Sequence, residues 1–280
     1  MTSKERVVKA IGHEQPDRVP IQIHLTPEIA QKLKTHFQSE AILERLGVDF
    51  RKVDPRFIGP PRRVPEGCDS VDEWGVGYKN VDFGTGVYAE AHYLPFAHMT
   101  TVAEVEAYPW PEADWWDYSV LREQCEANAR YAVCFGGAGI PDIVNGVSRG
   151  RGMETVLMDI MTEDPMGVAI IDRRCDILYE HCKRGLEAAQ GKIDILCLGE
   201  DCGNQFGPMF PPEVFDRFFR PRLQRFYDLG HQYGCKVMMH SCGSTRLLQS
   251  RFIEMSLDVL DAVQPEPVGM NPEELKREFG

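Results

Sequence analysis

The sequence predicts an α/β fold built on a parallel sheet, and three observations carry that expectation. From about residue 118 onward, strand-like runs and helical stretches alternate in the β-α-β pattern. The runs themselves, among them Ile193-Asp-Ile-Leu-Cys-Leu198 and Lys236-Val-Met-Met-His240, are short and mostly apolar, as suits strands covered on both faces. A chain of 280 residues with 43% hydrophobic content can also bury one large core.

The first helix begins at Thr2, which with Glu5 has capping-box spacing, and it stops before Pro16. Arg18-Val-Pro-Ile-Gln-Ile-His24 reads as a short strand. Thr26-Pro27 opens a helix with Ile29, Leu33 and Phe37 on one face, Ala41 to Leu46 is a further helical turn closed by Gly47, and Val48 to Val53 is the next strand. Residues 55–118, rich in Pro, Gly and aromatics, read as an irregular antiparallel excursion over a pocket mouth within one domain spanning 1–280, with Trp110, Trp115 and Trp116 packing locally. Then follow helix 118–130, strand 131–135, a long helix capped by Asp164-Pro165, and strand 193–198. A helix opened by Pro212 and kinked at Pro221, strand 236–241, helix 245–255, strand 257–263 and a last helix after Asn271-Pro272 complete the series. A closed (β/α)8 barrel needs eight strands and about six can be placed, so the expectation is a barrel lacking its last one or two βα units and a chain that is a fragment of a longer protein.

The formal charge of −12, with both signs interspersed, argues against nucleic acid or an anionic membrane as partner. Nine cysteines, odd in number and without a C-x-x-C pair, imply no disulfide framework. The N-terminus lacks an apolar leader, no run approaches membrane-spanning length, and the expected compartment is a reducing cytoplasm.

One stretch carries chemistry. The strand 236–241 ends by presenting His240 and Cys242 two positions apart, so both point to one side just before Gly243. Imidazole nitrogen and thiolate sulfur at that separation suit Zn²⁺ in a tetrahedral site; a buried His packed beside a Cys is the plainer reading of the same pair.

Arg6-Val-Val-Lys-Ala-Ile-Gly-His-Glu-Gln-Pro-Asp-Arg-Val-Pro20, Gly199-Glu-Asp-Cys-Gly-Asn-Gln-Phe-Gly-Pro-Met209, His240-Ser-Cys-Gly-Ser244 and the tail from Gln264-Pro265 to Gly280 together resemble the uroporphyrinogen decarboxylase superfamily. That resemblance implies a TIM-like barrel whose final strands lie beyond such a tail. True decarboxylases of this kind carry an arginine-rich segment after the first strand to grip substrate carboxylates; here the corresponding stretch, His24-Leu-Thr-Pro-Glu-Ile29, has no arginine. The chain is more similar to the corrinoid-dependent methyltransferase branch, in which a His-x-Cys pair and a distant cysteine hold zinc; His240 and Cys242 match the first two positions.

The resemblance implies methyl transfer from a methylated corrinoid (methylcobalamin) carried by a partner protein to a small-molecule thiol or folate acceptor. Glu200 and Asp201, at the end of a strand, are candidates to complete the zinc sphere, orient His240 or accept a proton, or else to cap a helix. Cys202 offers a substitute thiolate or a buried filler; Gln205 lies on the same loop. Arg149 and Arg151 offer guanidiniums on a flexible loop for an anionic group, and His24 a contact at the pocket mouth. The alternatives are a metal-free decarboxylase acting on a porphyrinogen and a non-enzymatic accessory subunit. Homodimerisation is compatible with the fold, but no stretch demonstrates it.

Overall fold

A computed structural model describes all 280 residues. Five strands, β1 (Phe50–Val53), β2 (Ala132–Pro141), β3 (Ile195–Gly199), β4 (Lys236–His240) and β5 (Val259–Asp261), form one sheet in chain order, every pair parallel. Each step therefore needs a crossover, and helices provide it. Alternation along the strands sorts the side chains. Val133, Phe135, Leu196, Leu198, Val237 and Met239 enter the large helix-covered core. Ala132, Cys134, Ile195, Cys197 and Met238 face the other way and pack under Val7 of the first helix, Ser3–Ile11. On that second face Phe50 from one edge strand and Val259 from the other line the same apolar cavity of about 610 Å³, so the sheet is curved enough for both edges to face one space.

The long helix Pro165–Ala189 starts where Asp164 accepts hydrogen bonds from the Met166 and Gly167 amides, with Pro165 in the first turn, and it buries Ile170, Ile171, Cys175, Cys182 and Leu186 against the sheet. The expected disturbance at Pro221 takes a specific form. Pro212–Val214 is α-helical, Phe215–Phe219 is a wide π turn, and Arg220–Gln232 resumes the α-helix; proline lacks the N–H that would continue the α pattern. The helix expected over 118–130 is the shorter Leu121–Ala127, entered through a 3₁₀ turn at Tyr118–Val120.

Two expectations fail. Arg18–His24 is extended but is no strand of the sheet: its backbone tie to the strand region is the Asp49 amide donating to the Ile21 carbonyl at 2.9 Å, and Pro20 has no N–H to offer a ladder. The supposed flexible loop around Arg149-Gly-Arg-Gly152 is instead the end of helix Ile143–Arg151, followed at once by helix Met153–Thr162. Gly146 and Gly150 within the helix, and Gly152 at its end, hide that helical periodicity; at Gly150 a Cβ would fall 2.4 Å from the Phe96 ring, so tertiary packing, not helix propensity, selects the residue. Within 55–118, strands Ser70–Val71, Gly77–Asp82 and Val87–Tyr93 form an antiparallel sheet, and Arg56–Phe57 pairs with Trp116–Asp117. Trp74, Val76, Phe96 and Trp110 from this region join the large core.

The N-terminal segment is fixed by buried charge. Asp49, fully buried just before β1, accepts from Arg6 Nη1 at 2.6 Å, from both terminal nitrogens of Arg18 at 2.8 and 2.9 Å, and from the Ile21 amide at 2.8 Å. Asp17 binds the rest of the Arg6 guanidinium at 2.6 and 2.8 Å. Removing the carboxylate takes one of the four hydrogen bonds of the buried Arg6 guanidinium and leaves Arg18 and the Ile21 amide without that acceptor. Asp49→Ala is expected to lower unfolding stability by about 3–5 kcal/mol in urea titration, and Asp49→Asn by clearly less.

His181 packs against Phe135, stacked at 5.7 Å, and the edge of Trp116 at 5.0 Å, with Nδ1 3.0 Å from the Tyr118 hydroxyl. Burial pushes this imidazole down to about 4 from an ordinary 6.5. The unfolded chain thus takes up its proton first on acidification, and stability should fall as pH drops from about 6.5 to about 4, by up to about 3 kcal/mol from this group. His181→Gln should show a shallower acid slope in denaturant titrations at pH 4.5 and 7; parallel slopes would refute the assignment.

Candidate active site

The C-terminal ends of β3, β4 and β5 bring the site together. In the parallel register Gly199 lies opposite His240, and His240 opposite Asp261. Neighbours on adjacent strands share a face, so the Asp261 carboxylate reaches the His240 ring: Oδ2 is 3.3 Å from Nδ1. Past the strand ends the two loops touch backbone to backbone. A Cβ at Gly243, whose φ is +78°, would lie 2.5 Å from the Gly203 carbonyl carbon, and one at Gly203 would lie 2.8 Å from the Ser244 amide. This contact draws Asp201 to the Cys242 loop, where its Oδ1 accepts from the Cys242 amide at 2.9 Å.

The result is a triad of three donor types. His240 Nε2 lies 3.2 Å from Cys242 Sγ and 3.7 Å from Asp201 Oδ1, and one donor atom from each residue falls within 4.8 Å of the others. Tetrahedral Zn²⁺ with N, S and O ligands sets such atoms about 3.4–3.6 Å apart, so the donor set fits zinc in both chemistry and spacing. The surrounding hydrogen bonds fit as well. Asp261 holds Nδ1 and leaves Nε2 facing the centre, while Asn145 Nδ2 donates to Asp201 Oδ2 at 2.9 Å and fixes that carboxylate. Gly243 N donates to Gln264 Oε1 at 2.6 Å, which anchors the cysteine loop. Asp261 keeps the His240 imidazole above its ordinary value; burial, with Asp201 beside it, raises the Cys242 thiol.

The remaining candidates separate. Glu200, 1% exposed, accepts from the Ile143 and Val144 amides at 2.5 and 3.2 Å, and so caps the helix Ile143–Arg151 that precedes it in the chain. Burial, with Asp142 next in effect, pushes its carboxyl up to about 8. Cys202 is a buried thiol whose amide donates to Ser241 Oγ at 3.0 Å. Arg149 lines the cavity of about 180 Å³ at His240 and contacts Asp142 at 3.3 Å. Arg151, expected beside it on a loop, is instead 6% exposed and tied to Asp159 at 2.6 Å and to the Phe96 carbonyl at 3.0 Å; two helical positions turn it about 200° from Arg149 and into the core. His24 and Gln205 are exposed and do not line that cavity.

Sequence reasoning missed Asp261, Asn145 and Gln264. Strand register carried the signal for Asp261, since it ends the strand next to His240; nothing in the sequence pointed to Asn145, which lies inside the unrecognised helix.

No family model matches the chain, and no curated protein matches it. Its structure is similar to that of a methyltransferase from Methanosarcina mazei, with a TM-score of 0.57 and 14% identity over 94% of this chain and 76% of that one. At that identity the likeness shows the α/β fold with its central parallel sheet. No helix is long and apolar enough to cross a membrane.

If Glu200 is a cap, Glu200→Ala exposes two buried helix amides and is expected to cost about 1–3 kcal/mol, whereas Glu200→Gln, which keeps one acceptor, should cost about 1 kcal/mol. Loss of bound metal in Glu200→Gln at unchanged stability would make it a ligand instead.

Proposed function

We propose that the chain is a zinc-dependent methyltransferase of the uroporphyrinogen decarboxylase superfamily, its sheet part of a TIM-like barrel, which passes a methyl group from a corrinoid protein to a thiol. The observation that carries this reading is the convergence of Asp201, His240 and Cys242 at the C-terminal ends of adjacent strands, where parallel α/β folds place their chemistry. The structural likeness to a methyltransferase supports it.

His240 Nε2, Cys242 Sγ and one Asp201 oxygen would hold the ion and leave a fourth position open toward the cavity. Zinc bound there supplies a Lewis acid that lets a thiol lose its proton near neutral pH. Asp261 orients the imidazole through Nδ1, and Asn145 holds Asp201 with one oxygen turned to the centre. Asp142, Asn145 and Arg149 line the cavity beside His240 and Asp201, and an acceptor seated there would present its sulfur to a methyl donor at the mouth. The donor would be a methylated corrinoid carried by a partner protein, its methyl passing to the thiolate sulfur as the cobalt–carbon bond breaks and leaves its electron pair on cobalt.

Metal analysis by mass spectrometry tests this. About one zinc per chain is expected, lost in His240→Ala and Cys242→Ala, with affinity about 10–100-fold weaker in Asp261→Asn. Stoichiometric zinc that survives both ligand substitutions, or no zinc after zinc loading, would overturn the reading.

A further inference from the structure

A second cavity, of about 330 Å³, adjoins the one at His240 and shares Gly139 and Arg149 with it. Its wall holds a cation of unusual standing. Arg174 is only 7% exposed, and its guanidinium lies on the Trp74 face, 4.6 Å from the ring centre. Nε donates to the Pro141 carbonyl at 2.7 Å and Nη2 to the Gly139 carbonyl at 3.0 Å, but no carboxylate pairs with it and Nη1 has no protein acceptor. A buried guanidinium with no carboxylate within ion-pair distance is only partly compensated by the charges of Asp142 and Glu73 nearby, and an anion in the cavity it lines completes that compensation. Arg149, at the junction of the two cavities, has only its 3.3 Å contact to Asp142 and can share the same anion.

An anion alone does not match the cavity. Across both spaces three basic side chains stand against six acidic ones. Among the acids, Asp72 is occupied by the Trp74 and Val76 amides and the Tyr78 hydroxyl. Glu73, beside it in the wall, takes part in no ion pair. A ligand that brings both signs satisfies Arg174 and Glu73 together, as a carboxylate and an ammonium on one carbon do.

Resting on the methyltransferase reading, we propose that this cavity seats the non-reacting end of the acceptor, and that the acceptor is an α-amino-acid thiol: its carboxylate on Arg174 and Arg149, its ammonium on Glu73, and its sulfur reaching through the shared opening toward His240 and Asp201.

Calorimetric titration of the zinc-loaded chain with three thiols of matched length tests this: L-homocysteine, 4-mercaptobutyrate without the ammonium, and 3-mercaptopropylamine without the carboxylate. L-homocysteine should bind at least about 10-fold more tightly than either. Arg174→Gln should weaken L-homocysteine and 4-mercaptobutyrate while sparing 3-mercaptopropylamine, and Glu73→Gln should give the converse, a crossed pattern that general unfolding cannot produce. Equal affinity for all three thiols, with all of them lost in Cys242→Ala, overturns the amino-acid seat and leaves the thiol site standing. If L-2-aminobutyrate, which lacks sulfur, binds as tightly as L-homocysteine, the seat stands and the thiol reading falls. Absence of binding by every thiol overturns both.

Discussion

The site depends on the parallel register of β3, β4 and β5. Gly199, His240 and Asp261 stand in one row across three strands, and that row decides that an imidazole has a carboxylate at one nitrogen and an open centre at the other. A slip of one residue in β4 would send His240 to the opposite face, away from Asp261. The register is held by side-chain sorting: the bulky Leu196, Leu198, Val237 and Met239 fit only under the helices, and the inner face takes the set around Ile195, Cys197 and Met238. Backbone contact between Gly203 and Gly243 then extends the same order beyond the strands to Asp201 and Cys242.

Buried ionisable groups are satisfied in three ways. Asp49 gathers two arginines and pins the N-terminal segment against the start of the sheet. Arg151 and Asp159 satisfy each other inside the helical layer. Glu200 sits under a helix start, where backbone amides supply the partners. In each, a polar group withdrawn from water is met by enough donors or acceptors to offset its desolvation. Arg174 departs from this pattern, and its departure coincides with a cavity beside the candidate site.

The contrast between the cavities along the sheet is chemical as well as geometric. The cavity of about 610 Å³ lined by Phe50, Ile195, Met238 and Val259, which reaches along β5 to Asp261, is mostly apolar. The polar cavities open at the C-terminal ends, where loops can bring side chains of different strands to one point. The triad, Arg149, Arg174, Asp142 and Glu200 lie there, which is why the functional reading rests on the smaller spaces.

Sequence alone determined the alternation of strands and helices, the helix starts at Thr2, Asp164 and Asn271, and the pairing of His240 with Cys242, because each is a local relation: a cap three residues from its partner, or two side chains on one face of one strand. It misread the helix at 143–151, since glycines chosen for close packing resemble loop glycines when the packing partner is unknown. Only the tertiary structure decided that Asp201 rather than Glu200 joins the pair, that Asp261 orients the histidine, and that Arg149 faces a cavity while Arg151 is buried. These outcomes depend on register between strands about 20 and 40 residues apart in the chain and on the meeting of two loops, and neither leaves a periodic trace in the sequence.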